Sequence, residues 1–228
     1  MKISIIIPVL NEASVIAQTL IALQPLREAG HEVIVVDGGS HDDTMTLSKP
    51  YADKVIQGSH GRSRQMNGGA KLASYEILLF LHADTFLPDY TDQIIIEGIN
   101  GRGKSWGHFD VRLSGKHPLL RVIEFLMNWR SQLSGIATGD QAIFVKRDLF
   151  ETIGGFPEID LMEDIALCKV LKRFGRPLCL HQAVLTSSRR WEEKGLIRTV
   201  FLMWLLRLAY FFKASPNQLA RLYYSKLE

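Results

Sequence analysis

Three runs of this chain are apolar almost without interruption and then stop abruptly in polar residues: Ile3 to Val9, Val33 to Asp37, and Ile77 to Leu81. Runs that are β-branched and continuous, as Ile3-Ser4-Ile5-Ile6-Ile7 nearly is, fit parallel strands buried on both faces. Between them, Ala13 to Leu26 reads as a helix with Ile16, Leu20 and Leu23 on one face, and Ser63 to Ser74 as another. Gly38-Gly39-Ser40 makes the turn after the second strand, Asp42-Asp43 open the next helix, and Val55-Ile56 form a short third strand. Strand and helix alternating in this way predict a parallel sheet with helices on both faces. Ligands of such sheets bind beyond the carboxyl ends of the strands, the edge where Asn11, Asp37 and Asp84 fall.

The second half keeps a looser rhythm. A strand over Gly107 to Leu113 precedes a helix from Pro118 to about Leu133, and Ala142 to Val145 is a short strand beside Gly139-Asp140-Gln141. Ile165 to Phe174 is amphipathic, with Leu167, Val170, Leu171 and Phe174 at helical spacing. Leu178-Cys179-Leu180 reads as the last strand, with His181 at its end as a structural residue rather than a ligand. The segment 199–212 is apolar nearly all round. Its fourteen residues extend roughly 21 Å as a helix, short of the roughly 30 Å hydrocarbon core of a bilayer. Two readings stay open for it. One is a helix buried on the domain or on a second copy of the chain. The other is an interfacial helix on a membrane surface, with Lys194, Arg198, Arg207 and Lys213 for charge and Trp204 and Tyr210 for the headgroup belt.

Composition changes this picture little. With 46% hydrophobic and 22% charged residues, 228 residues suffice for one domain with an appendage. The formal net charge of +3 is too mild for a dedicated nucleic-acid binder. Cys168 and Cys179 lack metal-ligand spacing and read as reduced thiols of a cytoplasmic protein. At the N-terminus Pro8, Asn11 and Glu12 cut the apolar run short, which suits a strand and not a signal peptide.

Chemistry gathers at the ends of the elements. Asp37, Asp84 and Asp164 close or open separate elements, an arrangement suited to holding a metal-bound diphosphate and deprotonating an acceptor. The turn from Pro8 to Ala13 contains no glycine, so it cannot bring backbone against a pyrophosphate as a dinucleotide fingerprint does. Arg62 and Arg64 flank Ser63 at a helix start, a place that suits a diphosphate. Glu163 and Asp164 open the helix after Gly154-Gly155-Phe156, where they also complement the helix dipole.

Taken in order, Ser4 to Glu12, Val35-Val36-Asp37-Gly38-Gly39-Ser40, Leu81-His82-Ala83-Asp84, Gly154-Gly155-Phe156 and Glu163-Asp164-Ile165-Ala166-Leu167 resemble glycosyltransferase family 2, the inverting GT-A enzymes with nucleotide-sugar donors. With Gly61-Arg62-Ser63-Arg64-Gln65-Met66-Asn67 and a Ser-Arg-Arg-Trp ending, the chain is most similar to the small subgroup labelled arsenosugar-type glycosyltransferases. The resemblance implies a GT-A fold, a Rossmann-like and mostly parallel sheet, over residues 1–191. An apolar helical extension over 192–228 would pack on the domain, a partner subunit or a membrane surface.

The resemblance also implies roles. Pro8, Asn11, Glu12 and Asp37 would hold the nucleoside, UDP being the expected donor base. Arg62, Arg64 and His82 would complete the donor site, and Asp84 would hold a divalent metal, Mn²⁺ or Mg²⁺. Asp164 would be the general base, with Glu163, Gly139, Asp140, Arg190 and Trp191 facing sugar or acceptor. His82 stands where the family's D-x-D motif has its first aspartate, and Ser187 replaces the glutamine of the Q-x-x-R-W signature of processive synthases, which argues against polymer synthesis. Two alternatives remain: a non-catalytic nucleotide-sugar binder or membrane-recruited partner, and a nucleotidyltransferase, which would carry a glycine-rich basic loop after its first strand. The acceptor has no legible code.

Overall fold

The computed structural model describes residues 1–189, 192 and 195–225. Its elements are β1 (Ile3–Val9), α1 (Ile16–Ala22), α2 (Gln24–Glu28), β2 (Glu32–Asp37), α3 (Thr44–Ser48), β3 (Lys54–Gln57), α4 (Arg62–Leu72) and β4 (Ile77–Phe80) in the first half. Alternate side chains of β1 go to opposite faces, and both faces are covered. Ile3, Ile5, Ile7 and Val9 join Ile16 and Leu20 in one core, while Ile6 joins Met66 and Ala70 in another. Double burial is what the unbroken apolar runs encode. β3, β2, β1 and β4 lie side by side in parallel register.

The second half adds β5 (Thr85–Phe86), α5 (Thr91–Gly101), β6 (Trp106–Leu113), α6 (Pro118–Ser134), β7 (Phe144–Lys146), α7 (Arg147–Thr152), α8 (Glu163–Leu171) and β8 (Leu178–Thr186). The sheet runs β3-β2-β1-β4-β7-β6-β8-β5. β7 is antiparallel to both neighbours and β5 to β8, whereas β6 and β8 are parallel.

Three elements depart from the sequence expectations. The helix expected over Ala13 to Leu26 is split into α1 and α2, with Pro25 in the first turn of the second. Proline has no N–H for the carbonyl one turn back, so the helix stops and restarts. The last strand extends to Thr186, which puts His181 inside it rather than at its end. Phe109 pairs with Leu180 and Asp110 with Ala183, so His181 and Gln182 are the extra residues of a bulge. Helix α5 had no counterpart in the pattern, because Ile94-Ile95-Ile96 is β-branched and Gly98 is a poor helix former. Packing decides it: Ile95 and Ile99 are buried, and a Cβ at residue 98 would stand 2.2 Å from Leu178 Cδ2.

Beyond the sheet lie α9 (Leu196–Phe211) and α10 (Pro216–Ser225). Leu202 and Leu206 of α9, with Leu219 and Tyr223 of α10, pack on Met162 and Ile165 at the start of α8. The opposite stripe of α9, at Ile197, Phe201, Trp204, Leu208 and Phe211, is exposed. One apolar face is thus used and the other is not. Among the described residues no helix is long and apolar enough to cross a membrane.

The carboxyl ends of β1 and β2 are tied by a side chain from α4. Gln65 is buried, and its Nε2 donates to the carbonyls of Val9 and Val36, each at 2.8 Å. Substituting Gln65→Met keeps the volume but removes both of these hydrogen bonds. We expect a loss of about 2 kcal/mol in stability, read as a lower urea midpoint. An unchanged midpoint would mean that water replaces the amide.

Candidate active site

Loops after β1 and β2 form one wall at the carboxyl edge. Asn11 takes a left-handed conformation (φ 54°), which asparagine tolerates better than most residues. Its N–H donates to Ser40 Oγ at 2.8 Å, and its Oδ1 accepts the His41 N–H at 2.9 Å. The Glu12 N–H donates to Thr44 Oγ1 at 2.8 Å. The Asp37 carboxylate is buried and accepts from its own turn: the N–H groups of Gly39 and Ser40 on Oδ2, each at 2.9 Å, and the Ser40 hydroxyl on Oδ1. Pro8 lies opposite Val36 in the β1–β2 ladder, leading into this wall.

The second wall grows from β4. Phe80 ends the strand, and Phe156 meets it edge-on with ring centroids 4.8 Å apart. The glycine turn before Phe156 is clamped by Asn67, which donates to the Phe156 carbonyl at 2.9 Å and accepts its N–H at 2.8 Å. After Phe80 the loop is held by backbone: Thr19 Oγ1 donates to the Ala83 carbonyl at 2.6 Å and the Ser187 N–H to that of Asp84 at 3.2 Å. The Asp84 carboxylate itself makes no hydrogen bond or ion pair among the described residues.

His82 Nδ1 stands 3.1 Å from Asp140 Oδ1, which leaves Nε2 for other work. That ring lies against Gly139, where a Cβ would come within 2.4 Å of Nε2, so residue 139 must lack one. The Gly139 N–H donates to Asp164 Oδ2 at 2.9 Å, and Asp164 Oδ1 accepts the Ile165 N–H at 2.6 Å. His82, Gly139, Glu163, Asp164, Arg62 and Phe156 line one small pocket. Glu163 is buried, and Arg62 Nη1 is 3.8 Å from its Oε1. Burial, then the charge of Asp164, raises the Glu163 carboxyl above its ordinary 4.5, against the pull of Arg62. A larger open groove of about 530 Å³ lies between α5 and β8, lined by Glu97 of α5 and by none of these carboxylates.

The expected residues therefore separate into groups. Arg62, His82, Gly139, Asp140, Glu163 and Asp164 come together. Pro8, Asn11, Glu12 and Asp37 form the neighbouring wall, and Arg189 bridges towards it, 3.7 Å from Glu12 Oε2. Arg64 instead turns to Glu158 at 3.6 Å and to the His60 carbonyl. Arg190, Trp191 and Lys194 lie outside the described residues. Gln65 and Asn67 carry no signal beyond their place in the Gly61 to Asn67 motif; nothing in their spacing tells a carbonyl clamp from a solvated amide. Among the described residues no three His, Cys, Asp or Glu side chains converge on a metal position. The Asp84 carboxylate, without a hydrogen-bond partner among the described residues, nevertheless fits Mg²⁺ or Mn²⁺, which would take its other oxygens from phosphate and water.

Known proteins resemble the chain in sequence and in fold. Poly-beta-1,6-N-acetyl-D-glucosamine synthase of Staphylococcus epidermidis is 24% identical over 216 residues, covering 84% of this chain and 52% of the relative's length. The chain thus spans about half of that protein. S. aureus TarS 1-349, solved in complex with UDP, superposes with a TM-score of 0.66 at 19% identity, over 82% of this chain and 60% of the other. The mannosyltransferase PcManGT of Pyrobaculum calidifontis, solved with GDP-Man and Mn²⁺, gives 0.61 at 20% identity, over 81% and 56%. At such identities the structures speak for the fold, which is GT-A. The family profile described as Glycosyl transferase family 2 matches residues 4–154, about two thirds of the sequence, and the chain belongs to that family.

Proposed function

We propose that the chain transfers a sugar from a nucleotide-diphosphate donor, UDP-linked, to an acceptor hydroxyl in one inverting displacement. The observation that carries this reading is the pinned carboxylate of Asp164. Each oxygen accepts one backbone N–H and keeps a lone pair, in a pocket shared with His82 and Arg62. In a single displacement the acceptor oxygen bonds to the anomeric carbon as the bond to the diphosphate breaks. The diphosphate keeps the electron pair, and the hydroxyl proton passes to Asp164.

Other residues divide the remaining work. The loops of Asn11, Glu12 and Asp37, entered from Pro8, frame the nucleoside, and Asp37 Oδ1 still has capacity for a base N–H. Arg62 faces the diphosphate; Arg64, turned to Glu158, supports the helix start. Asp84 holds the divalent metal, which when bound neutralises charge on the departing diphosphate. His82 Nε2 is left for ribose or metal. Asp140, Gly139 and Glu163 border the acceptor side, a role the family resemblance extends to Arg190 and Trp191. Residues 1–191 form the transferase unit, and 192–228 an extension seated on it.

Asp164→Asn should lower transfer by roughly a hundredfold or more while UDP titrates in the calorimeter as before. Weakened UDP binding would put Asp164 in the donor subsite instead. Asp84→Ala should weaken UDP binding roughly tenfold in Mn²⁺ and remove the difference between Mn²⁺ and chelator. Binding that survives both changes would refute the metal role.

Glu163 gives a pH prediction. Because its carboxyl is raised in the folded protein, the folded state keeps a proton that the unfolded chain releases above about pH 4.5. Its contribution to stability is intact below that pH and declines as pH rises through the raised value. Glu163→Gln should therefore match the wild type near pH 4 and exceed it in melting temperature at pH 8. Parallel curves across that range would show Glu163 to be ionised in the fold.

A further inference from the structure

Helices α6 and α9 each bury part of an arginine without giving it a partner. Among the described residues, Nε and Nη2 of Arg130 and Nε of Arg207 are shut from solvent and make no hydrogen bond. The two guanidiniums sense each other. Burial first, then the charge of Arg207, lowers Arg130 to about 10, and burial lowers Arg207 as well. Asp164 and Asp140 draw both the other way, so the charge of the proposed base reaches the pair. The chain just past α6 reaches α9, since Ile136 packs in one cluster with Met162, Ile165 of α8, and Leu202 and Leu206 of α9. Unpaired buried charge is costly, and here it is doubled with one sign.

The outer faces of the same two helices are apolar and aromatic. Phe125 and Trp129 of α6 are 66% and 54% exposed, and Phe201 and Trp204 of α9 are 70% and 64% exposed. Residues 196–213 hold Arg198, Arg207 and Lys213 and no acidic residue. Basic charge beside aromatic anchors is the complement of an anionic bilayer surface.

We propose that the acceptor is a phospholipid with a hydroxyl in its headgroup. The outer faces of α6 and α9 seat in the bilayer interface, Arg130 and Arg207 take the lipid phosphate, and the headgroup hydroxyl reaches Asp164. Both side chains are partly exposed, and a phosphate with several acceptor oxygens offers their accessible guanidinium edges the partners that the fold withholds. The inference rests on the transferase reading above and names the substrate class for it.

The test is flotation of the purified full chain with vesicles of phosphatidylcholine alone or mixed with phosphatidylglycerol, with UDP calorimetry as a control. We expect phosphatidylglycerol to strengthen binding at least about tenfold. Phe201→Glu and Trp204→Glu should each weaken binding to both vesicles roughly tenfold. Arg130→Gln and Arg207→Gln should each cut the preference for phosphatidylglycerol further than Lys213→Gln does, keep the residual binding to phosphatidylcholine, and leave the melting temperature unchanged or higher. A lower melting temperature with the preference intact would make the arginines structural counter-charges and overturn the proposal. Absence of vesicle binding, with UDP still bound, would overturn it while leaving the transferase reading in place. If glycerol phosphate then titrates in an Arg130-dependent way, the acceptor is a soluble phosphate. If light scattering instead gives twice the chain mass, the apolar faces belong to a second copy. Loss of UDP binding by the wild type would count against the transferase reading itself.

Discussion

The hydrogen bond from the Gly139 N–H to Asp164 Oδ2 joins the short turn after α6 to the first turn of α8, and the site is arranged around it. Gly139 is also where His82 makes its closest approach, in space that a Cβ would fill. Asp164 and the loop leading to Asp84 are therefore held at a set separation through the Gly139 backbone, which the Asp164 carboxylate and the His82 ring both meet. The Asn67 clamp on Phe156, and Phe156 against Phe80, fix the same loop from the other side. The proposed displacement needs base and leaving-group ligand in fixed relation, and such short links would supply that at little entropic cost.

Much of the fold was legible because burial on two faces leaves an unmistakable trace. β1, β2 and β4 are apolar runs, and the polar residues that end them, Asn11, Asp37 and His82, are where the walls of the site begin. What was not legible depends on partners far along the chain. α5 is helical because Leu178 and its neighbours cover Ile95, Ile99 and Gly98, which local propensity argues against. β8 outlasts its apolar start because a bulge absorbs His181 and Gln182 and returns Val184 to the core. Gln65 looks like any helix-surface amide until β1 and β2 place two carbonyls above it. Likewise, sequence shows Arg130 and Arg207 as charges but not as neighbours.

The site concentrates features that cost stability. Glu163 is buried beside a second carboxylate, and Asn11, Ala142 and Met162 border the pocket or its walls with positive φ. Such backbone strain amounts to about 1–3 kcal/mol per residue and persists only where surrounding packing over-determines it. Here the packing is evident: the aromatic triad of Phe80, Phe150 and Phe156 on one side, and the cluster shared by α8, α9 and α10 on the other.

Met162 carries a mechanical consequence. It caps α8 in a left-handed conformation, directly before Glu163 and Asp164, and its side chain is gripped by Leu202 and Leu206 of α9. The outermost helix thus has a lever on the carboxylate pair. Any body that tilts or steadies α9 transmits its effect to Asp164 through one residue, and by reciprocity a ligand that fixes Asp164 alters the grip of α9 on whatever lies outside. Surface attachment and chemistry at the anomeric carbon would then be two readings of a single equilibrium.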